Sequence, residues 1–145
     1  MKKSYLVLIL MVFFIAGFVF SNQVDEKAME AMKGNAFVEV SVWDYLVFKP
    51  LQDSRGLGLI FFPQEGIDMK GYALSGIEFA EDGITVFVPQ EGSGREMIDL
   101  VMDEYSYIEL WAVGGHGVGG NLAAEYVEDN EDLVEDEVLT GLILW

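Results

Sequence analysis

The sequence predicts an α/β fold in which a mostly parallel central sheet is flanked by helices. From residue 56 onward, short apolar runs alternate with amphipathic segments, and the runs are continuously apolar, as in strands buried on both faces. Strands that alternate with helices form right-handed βαβ units with parallel strands. A length of 145 residues, of which 52% are hydrophobic, favours one domain with a substantial core.

The predicted elements begin with a short helix over 24–33, which Gly34 ends. A strand over 37–43 alternates apolar and polar side chains and pairs with 45–48 as a hairpin. The later segments alternate in type, with strands at 57–62, 84–88, 107–113 and 138–145 and helices at 72–80, 95–105 and 119–127. The tryptophans lie in apolar strand contexts, which predicts core packing for Trp43, Trp111 and Trp145.

The chain divides into a leader (1–22), a helix with a hairpin (23–55) and the alternating region (56–145). In the leader, Lys2 and Lys3 precede an unbroken apolar run from Tyr5 to Phe20, which is typical of a signal peptide or a membrane anchor. As a helix this run would span about 24 Å, short of a hydrocarbon core of about 30 Å. Cleavage after Val19-Phe20-Ser21 and retention as an N-terminal helix both stay open. In either case the remainder is expected to be extracytoplasmic, anchored or secreted.

Charge and residue types exclude several function classes. There are 8 Lys and Arg residues against 25 Asp and Glu residues, a net charge of −17, which disfavours nucleic acid and anionic lipid as partners. The chain has no cysteine, and its one histidine, His116, has no second histidine to join it, so no metal or cofactor is predicted. The acidic run 125–137 lacks the ligand spacing of a calcium loop and is interpreted as a solvated helix end and loop.

A glycine-rich turn follows the strand predicted at 107–113. Residues Gly115-His116-Gly117-Val118-Gly119 match the G-x-S-x-G nucleophile elbow at each fixed position except the nucleophile, where Gly117 replaces serine. In such an elbow, side chains at the flanking glycines would strike the neighbouring strand and helix. A phosphate-binding turn is an alternative, because Gly115, Gly117 and Gly120 also fit G-x-G-x-x-G, although that fingerprint normally follows the first strand of its unit.

The region from Gly56 to Trp145 resembles the alpha/beta hydrolase fold-5 family. Phe61-Phe62-Pro63, then Ile67-Asp68, then Tyr72 follow the order of that family's Phe-Tyr-Pro-Gly strand end and Val-Asp…Tyr helix start, ahead of its Gly-Gly-His-Ser-Leu-Gly-Gly elbow. The resemblance implies an α/β-hydrolase fold, incomplete at the C-terminus. For an active member it implies esterase-type acyl hydrolysis.

The departures from that family's pattern concern catalysis. Gly117 removes the nucleophile, and Gln64-Glu65 replaces the glycine whose backbone N–H would help to form the oxyanion hole. The backbone N–H groups of Gln64 and Val118 are the possible oxyanion-hole donors, and a Glu65 carboxylate pointing inward would oppose an oxyanion. The family's acid and histidine follow the nucleophile, whereas His116 precedes it. The resemblance therefore implies a catalytically inactive relative.

Two alternatives stay open: a module that binds a ligand or partner, and a fragment of a longer hydrolase. The strand at 138–145 would carry Leu142, Ile143 and Leu144 on an unprotected edge, and such edges pair with other chains. Three explanations stay open: a homo-oligomer or a protein partner covers this strand, the chain is unstable, or the sequence is incomplete. Contact with a membrane is expected if the leader is retained.

Overall fold

The computed structural model describes residues 24–145, which form one six-stranded mixed sheet with helices on both faces. The predicted leader, 1–22, lies outside the described residues. The strand order is β1-β2-β4-β3-β5-β6. The strands are β1 (Val38–Val42), β2 (Tyr45–Pro50), β3 (Leu57–Phe62), β4 (Ile84–Pro89), β5 (Leu110–Gly115) and β6 (Leu139–Leu144).

Strand direction divides the sheet into a hairpin and a parallel part. The hairpin β1–β2 is antiparallel and adds to β4 in the antiparallel direction. The strands β4, β3, β5 and β6 run parallel to one another, so the predicted fold class is confirmed. The register from Leu57↔Leu110 to Phe62↔Gly115 brings the carboxyl ends of β3 and β5 to the same edge of the sheet.

Successive side chains along each strand point to opposite faces of the sheet, and helices cover both faces. On one face lie α1 (Glu26–Ala31) and α2 (Ala73–Glu81), the latter preceded by a 3₁₀ turn (Met69–Tyr72). On the other face lie α3 (Glu96–Glu104) and α4 (Val118–Asp129). A short fifth helix, α5 (Glu131–Glu135), follows α4. Each face has its own apolar core.

The acidic run at 125–137 spans the end of α4 and α5, and all its carboxylate residues are exposed, as predicted. Among residues 24–145, no helix combines the length and apolar character that crossing a membrane requires.

Two predictions about the strands were wrong in detail. The strand predicted from 107 begins only at Leu110, because the Ile108 N–H donates to the Tyr105 carbonyl at 2.8 Å and the chain turns there after α3. Core packing holds for Trp111, which is 2% exposed, but not for Trp43 (70%) or Trp145 (68%). Trp43 lies in the turn between β1 and β2, and Trp145 follows the edge strand β6, so neither has a covered sheet face on which to pack.

Candidate active site

The predicted elbow is a sharp strand-to-helix turn. Strand β5 ends at Gly115, Gly117 has φ 55° and ψ −116°, and α4 begins at Val118. Glycine adopts this backbone conformation readily, whereas a residue with a side chain is strained there by about 1–3 kcal/mol. The segment thus makes the sharp strand-to-helix turn expected of a nucleophile elbow. Glycine is the residue that adopts the backbone conformation at its tip with the least strain.

The glycines that flank the tip allow the backbone of α4 to approach β3. A β-carbon on Gly119 would lie 2.5 Å from the Phe62 carbonyl oxygen and 2.7 Å from that of Pro63. A β-carbon on Gly115 would strike the backbone of Gly119. These neighbours are backbone atoms that cannot rotate away, so close packing accounts for both glycines.

The space above Gly117, where a serine side chain would begin, holds the side chain of Gln64. Its carboxamide oxygen overlaps the point that a β-carbon on Gly117 would occupy, and its Cδ and Nε2 lie 2.7 and 3.2 Å from that point. Gln64 follows the end of β3, which runs beside β5, so the register of these strands brings it to the elbow. Position 117, where the sequence predicts the nucleophile of an active member, therefore lacks a side chain of its own and is covered by that of Gln64.

Tyr72 links the end of β3 to the elbow. The Gln64 N–H donates to the Tyr72 hydroxyl oxygen at 2.9 Å, and that oxygen lies 3.0 Å from His116 Nδ1. The Tyr72 hydroxyl can donate to His116 Nδ1 when the neutral imidazole carries its proton on Nε2. Burial raises the pKa of Tyr72, and the Gln64 N–H partly offsets that rise. Tyr72 therefore remains a neutral phenol at physiological pH.

His116 is held by packing as well as by this hydrogen bond. Its ring stacks on Trp145 with centroids 5.4 Å apart and meets Tyr72 edge-on at 6.2 Å. Its backbone N–H donates to the Phe62 carbonyl at 3.0 Å. These are the contacts of a residue that packs beside the elbow. Across residues 24–145, no group of three or more His, Cys, Asp or Glu side chains could hold a metal ion.

Two depressions adjoin the elbow. An apolar groove of about 340 Å³ lies between α2 and β6 and is lined by residues that include Phe61, Tyr72 and Trp145. A cleft of about 310 Å³ lies at the carboxyl ends of β3 and β4, where Val118 and Gly119 face Glu65 and Gln90. The cleft occupies the edge of a parallel sheet at which ligands of open α/β folds bind.

The two possible oxyanion-hole donors differ in their surroundings. The Val118 N–H is in the first turn of α4, where N–H groups have no partner within the helix. The Gln64 N–H is engaged by the Tyr72 oxygen. Glu65 lines the same cleft as Val118, so an acidic residue borders the cleft that holds one of the two possible donors. An oxyanion hole built from Gln64 and Val118 stays a prediction.

Sequence reasoning missed the contacts of Gln64, Tyr72 and Trp145 with the elbow. Tyr72 appeared only as a match to the family's pattern, and Trp145 only as a strand residue. Tyr72 and His116 are 44 positions apart, and no local periodicity links them. Only the ordered family pattern around Phe62 and Tyr72 pointed to this part of the fold.

Comparisons with known proteins agree with this geometry. A family model described as the alpha/beta hydrolase family matches residues 58–142. Because this match covers more than half of the chain, the protein belongs to the α/β hydrolase family. A search of curated proteins gives no match.

Solved structures with a similar fold include two bacterial proteins. One is the Francisella virulence factor BioJ, at 14% identity and a TM-score of 0.61, with the match covering 82% of this chain and 48% of that one. Another is a probable hydrolytic enzyme from Pseudomonas aeruginosa, at 12% identity and a TM-score of 0.50, covering 74% of this chain and 39% of that one. The chain spans less than half the length of either protein. At these identities the likeness concerns the fold alone.

Proposed function

We propose that this chain is a non-catalytic member of the α/β hydrolase family, in which the elbow serves as a packing centre. One observation carries the proposal: the nucleophile position is Gly117, and the carboxamide of Gln64 covers it. A covalent acyl-transfer mechanism needs a nucleophile and a base within hydrogen-bond reach of it. The proposal rests on the tip of the elbow and does not depend on where the chain ends.

Among residues 24–145, neither of the remaining catalytic roles has a suitable side chain near the tip. His116 is the only histidine among the 145 residues, and its Nδ1 already faces the Tyr72 hydroxyl at 3.0 Å. Glu65 lines the cleft, and its carboxylate, if turned toward the elbow, would repel a developing oxyanion, whereas an oxyanion hole works through donors. Among the described residues, a serine restored at 117 would therefore have no uncommitted imidazole beside it to activate its hydroxyl.

Hydrolysis of p-nitrophenyl acetate and butyrate tests this proposal. We expect no turnover above the buffer rate for the wild-type chain or for Gly117→Ser. A fluorophosphonate probe, which labels activated serines, should label neither protein. Esterase activity that co-purifies with the wild-type protein and is lost in the His116→Ala variant would refute the proposal. The His116→Ala variant separates true activity from a contaminating esterase.

We propose further that the protein is exported, on the strength of the two lysines and the apolar run from Tyr5 to Phe20. Cell fractionation followed by intact-mass measurement tests this. We expect either a mature chain outside the cytoplasm that lacks the leader, or an uncleaved chain in the membrane fraction. An uncleaved chain in the cytoplasm would contradict export.

A second candidate function is a binding module. The apolar groove beside the elbow favours it, together with the exposure of Leu142 (42%) and Leu144 (61%) on the edge strand β6. A partner chain that pairs with β6 would bury these side chains. Light scattering coupled to size-exclusion chromatography should then show a homo-oligomer or a co-purifying protein. A monomer at high concentration that purifies without a partner would count against this candidate.

A further inference from the structure

A second surface, away from the elbow, combines exposed apolar groups with unpaired carboxylates. Trp43 in the β1–β2 turn and Leu100 on α3 are 70% and 51% exposed. They line a shallow depression together with Tyr45, Asp44, Asp103 and Glu104. We call these six residues the Trp43 surface.

The charges of this surface are unfavourable for the isolated protein. Asp103 and Glu104 lie in the last turn of α3, which has no basic residue, and the helix macrodipole is negative at that end. Asp44, Asp103 and Glu104 line one depression, so three like charges face the same space. Within the described part of the chain the ion pairs are Lys33–Glu30 and Arg95–Asp129, so the carboxylates of the Trp43 surface belong to none. An incoming cation would relieve this repulsion.

Hydrogen bonds hold the surface in place before any partner arrives. The hydroxyl of Tyr45 donates to Glu104 Oε2 at 2.5 Å, which leaves the other carboxylate oxygen free to bind. Tyr45 is 3% exposed, and its ring packs edge-on against Phe87. The Trp43 N–H donates to the Tyr45 carbonyl at 2.9 Å and thereby holds the turn that carries the indole. A preorganised surface of this kind loses little conformational entropy on binding.

We propose that the Trp43 surface docks a basic segment of another protein. A lysine or arginine side chain of the partner lies over the face of Trp43, where the ring quadrupole attracts cations, and between the carboxylates of Asp44, Asp103 and Glu104. An apolar side chain next to it in the partner covers Leu100. Charge complementarity selects this occupant, because a second copy docked through the same surface would bring Asp44, Asp103 and Glu104 against their own like charges. The proposal does not rest on the state of the elbow.

The test uses the full chain and a fluorescein-labelled hexapeptide of alternating leucine and arginine, with binding followed by fluorescence anisotropy at low salt. The site variant is Asp103→Asn with Glu104→Gln, in which the carboxamide oxygen introduced by Glu104→Gln still offers an acceptor to Tyr45. The matched control is Glu131→Gln with Asp132→Asn on α5, which removes the same charge from another exposed helix. We expect the site variant to weaken binding about tenfold or more, and the control less than about twofold.

Trp43→Ala provides an independent variant, because the exposed indole contributes little to folding. It should also weaken binding, and a peptide with serine in place of leucine should bind less tightly to the wild type. Equal weakening by the site and control variants would show attraction by net charge alone and overturn the proposal. Absence of peptide binding, together with a homodimer that the site variant abolishes, would assign the surface to a second copy and overturn it too.

Discussion

The carboxamide of Gln64 lies over Gly117, with Gln64 Cδ 2.7 Å from the point that a β-carbon on Gly117 would occupy. Gln64 and Gly117 each lie two residues beyond the end of one of two neighbouring parallel strands, and their sizes are complementary. Gly117 leaves room for the glutamine, and the glutamine fills the space that a nucleophile would need. A substitution at either residue therefore tests the arrangement at the other.

Replacing Gly117 with serine should lower the free energy of unfolding by about 1–3 kcal/mol, since a side chain at φ 55° is strained. Urea denaturation followed by circular dichroism measures the change. Gly92→Ser measures the backbone part of such a loss alone, because Gly92 also has a positive φ but no atom lies within 4 Å of its would-be β-carbon. Adding Gln64→Ala to Gly117→Ser should recover the steric part of the loss. A Gly117→Ser protein as stable as the wild type would contradict the strained elbow.

Tyr72→Phe should cost about 1–3 kcal/mol, because it removes the acceptor of the Gln64 N–H and the hydrogen-bond partner of His116 Nδ1. The matched change is Tyr107→Phe, at a side chain that is 64% exposed, which should stay within about 0.5 kcal/mol of the wild type. Thermal or urea unfolding of both variants gives the comparison. Equal effects would show that the Tyr72 hydrogen bonds contribute nothing measurable.

Gly119→Ala should destabilise the fold by about 1–3 kcal/mol or more, because the new methyl group would meet the Phe62 and Pro63 carbonyl oxygens. Gly120→Ala in the same helix is the control. Its β-carbon would lie 3.1 Å from the Gly115 carbonyl oxygen, a milder contact that the helix propensity of alanine, about 1 kcal/mol, should largely offset. Urea midpoints of the two variants should therefore differ clearly. If they coincide, the close approach of α4 to β3 is wrong.

The tryptophans should differ sharply in their contribution to stability. Trp111→Ala removes a buried ring whose Nε1–H donates to the Ile108 carbonyl at 3.0 Å, and we expect a loss of about 3–5 kcal/mol. Trp43→Ala should change stability by less than about 0.5 kcal/mol, because the ring is exposed. Chemical denaturation of both variants measures the difference. A large loss of stability in Trp43→Ala would mean that other residues cover Trp43 and would contradict its exposure.

Stability should fall at alkaline pH. Burial raises the pKa values of Tyr45, Tyr72, Tyr105 and Tyr126 above the ordinary value of about 10. Above that pH the unfolded chain loses phenol protons that the folded chain keeps, so the folded state is increasingly disfavoured as pH rises. The stabilisation is complete below about pH 10 and is lost as pH climbs toward the folded-state pKa values. Urea midpoints between about pH 8 and 11 should show this decline.

The variant Tyr126→Phe removes one of these titrating groups and should make the alkaline decline shallower than in the wild type. It also removes the hydrogen bond to Asp99, so its stability at pH 8 provides the baseline. A wild-type midpoint that does not change across this range would contradict the raised pKa values.

Local patterns predicted most of the fold. The strand over 57–62 was predicted with the bounds that the structure gives, because a continuous apolar run between turn residues indicates a buried strand without reference to its neighbours. Boundaries were less accurate where a tertiary contact decides them. Strand β5 begins at Leu110 rather than at Tyr107, because the chain first turns after α3. In this turn the Ile108 carbonyl accepts a hydrogen bond from Trp111 Nε1–H.

The sequence by itself determined the class of fold, the position of the glycine-rich strand-to-helix turn and the glycine at its tip. These features depend on hydrophobic runs, on the spacing of glycines and on the covalent absence of a side chain at Gly117, all of which are local. Only the tertiary structure decided that Gln64 covers the tip, that Tyr72 joins it to His116, and that Trp43 is exposed beside unpaired carboxylates. Those contacts connect residues distant in the chain, and they arise because β3 and β5 pair in parallel and α3 packs beside the hairpin turn.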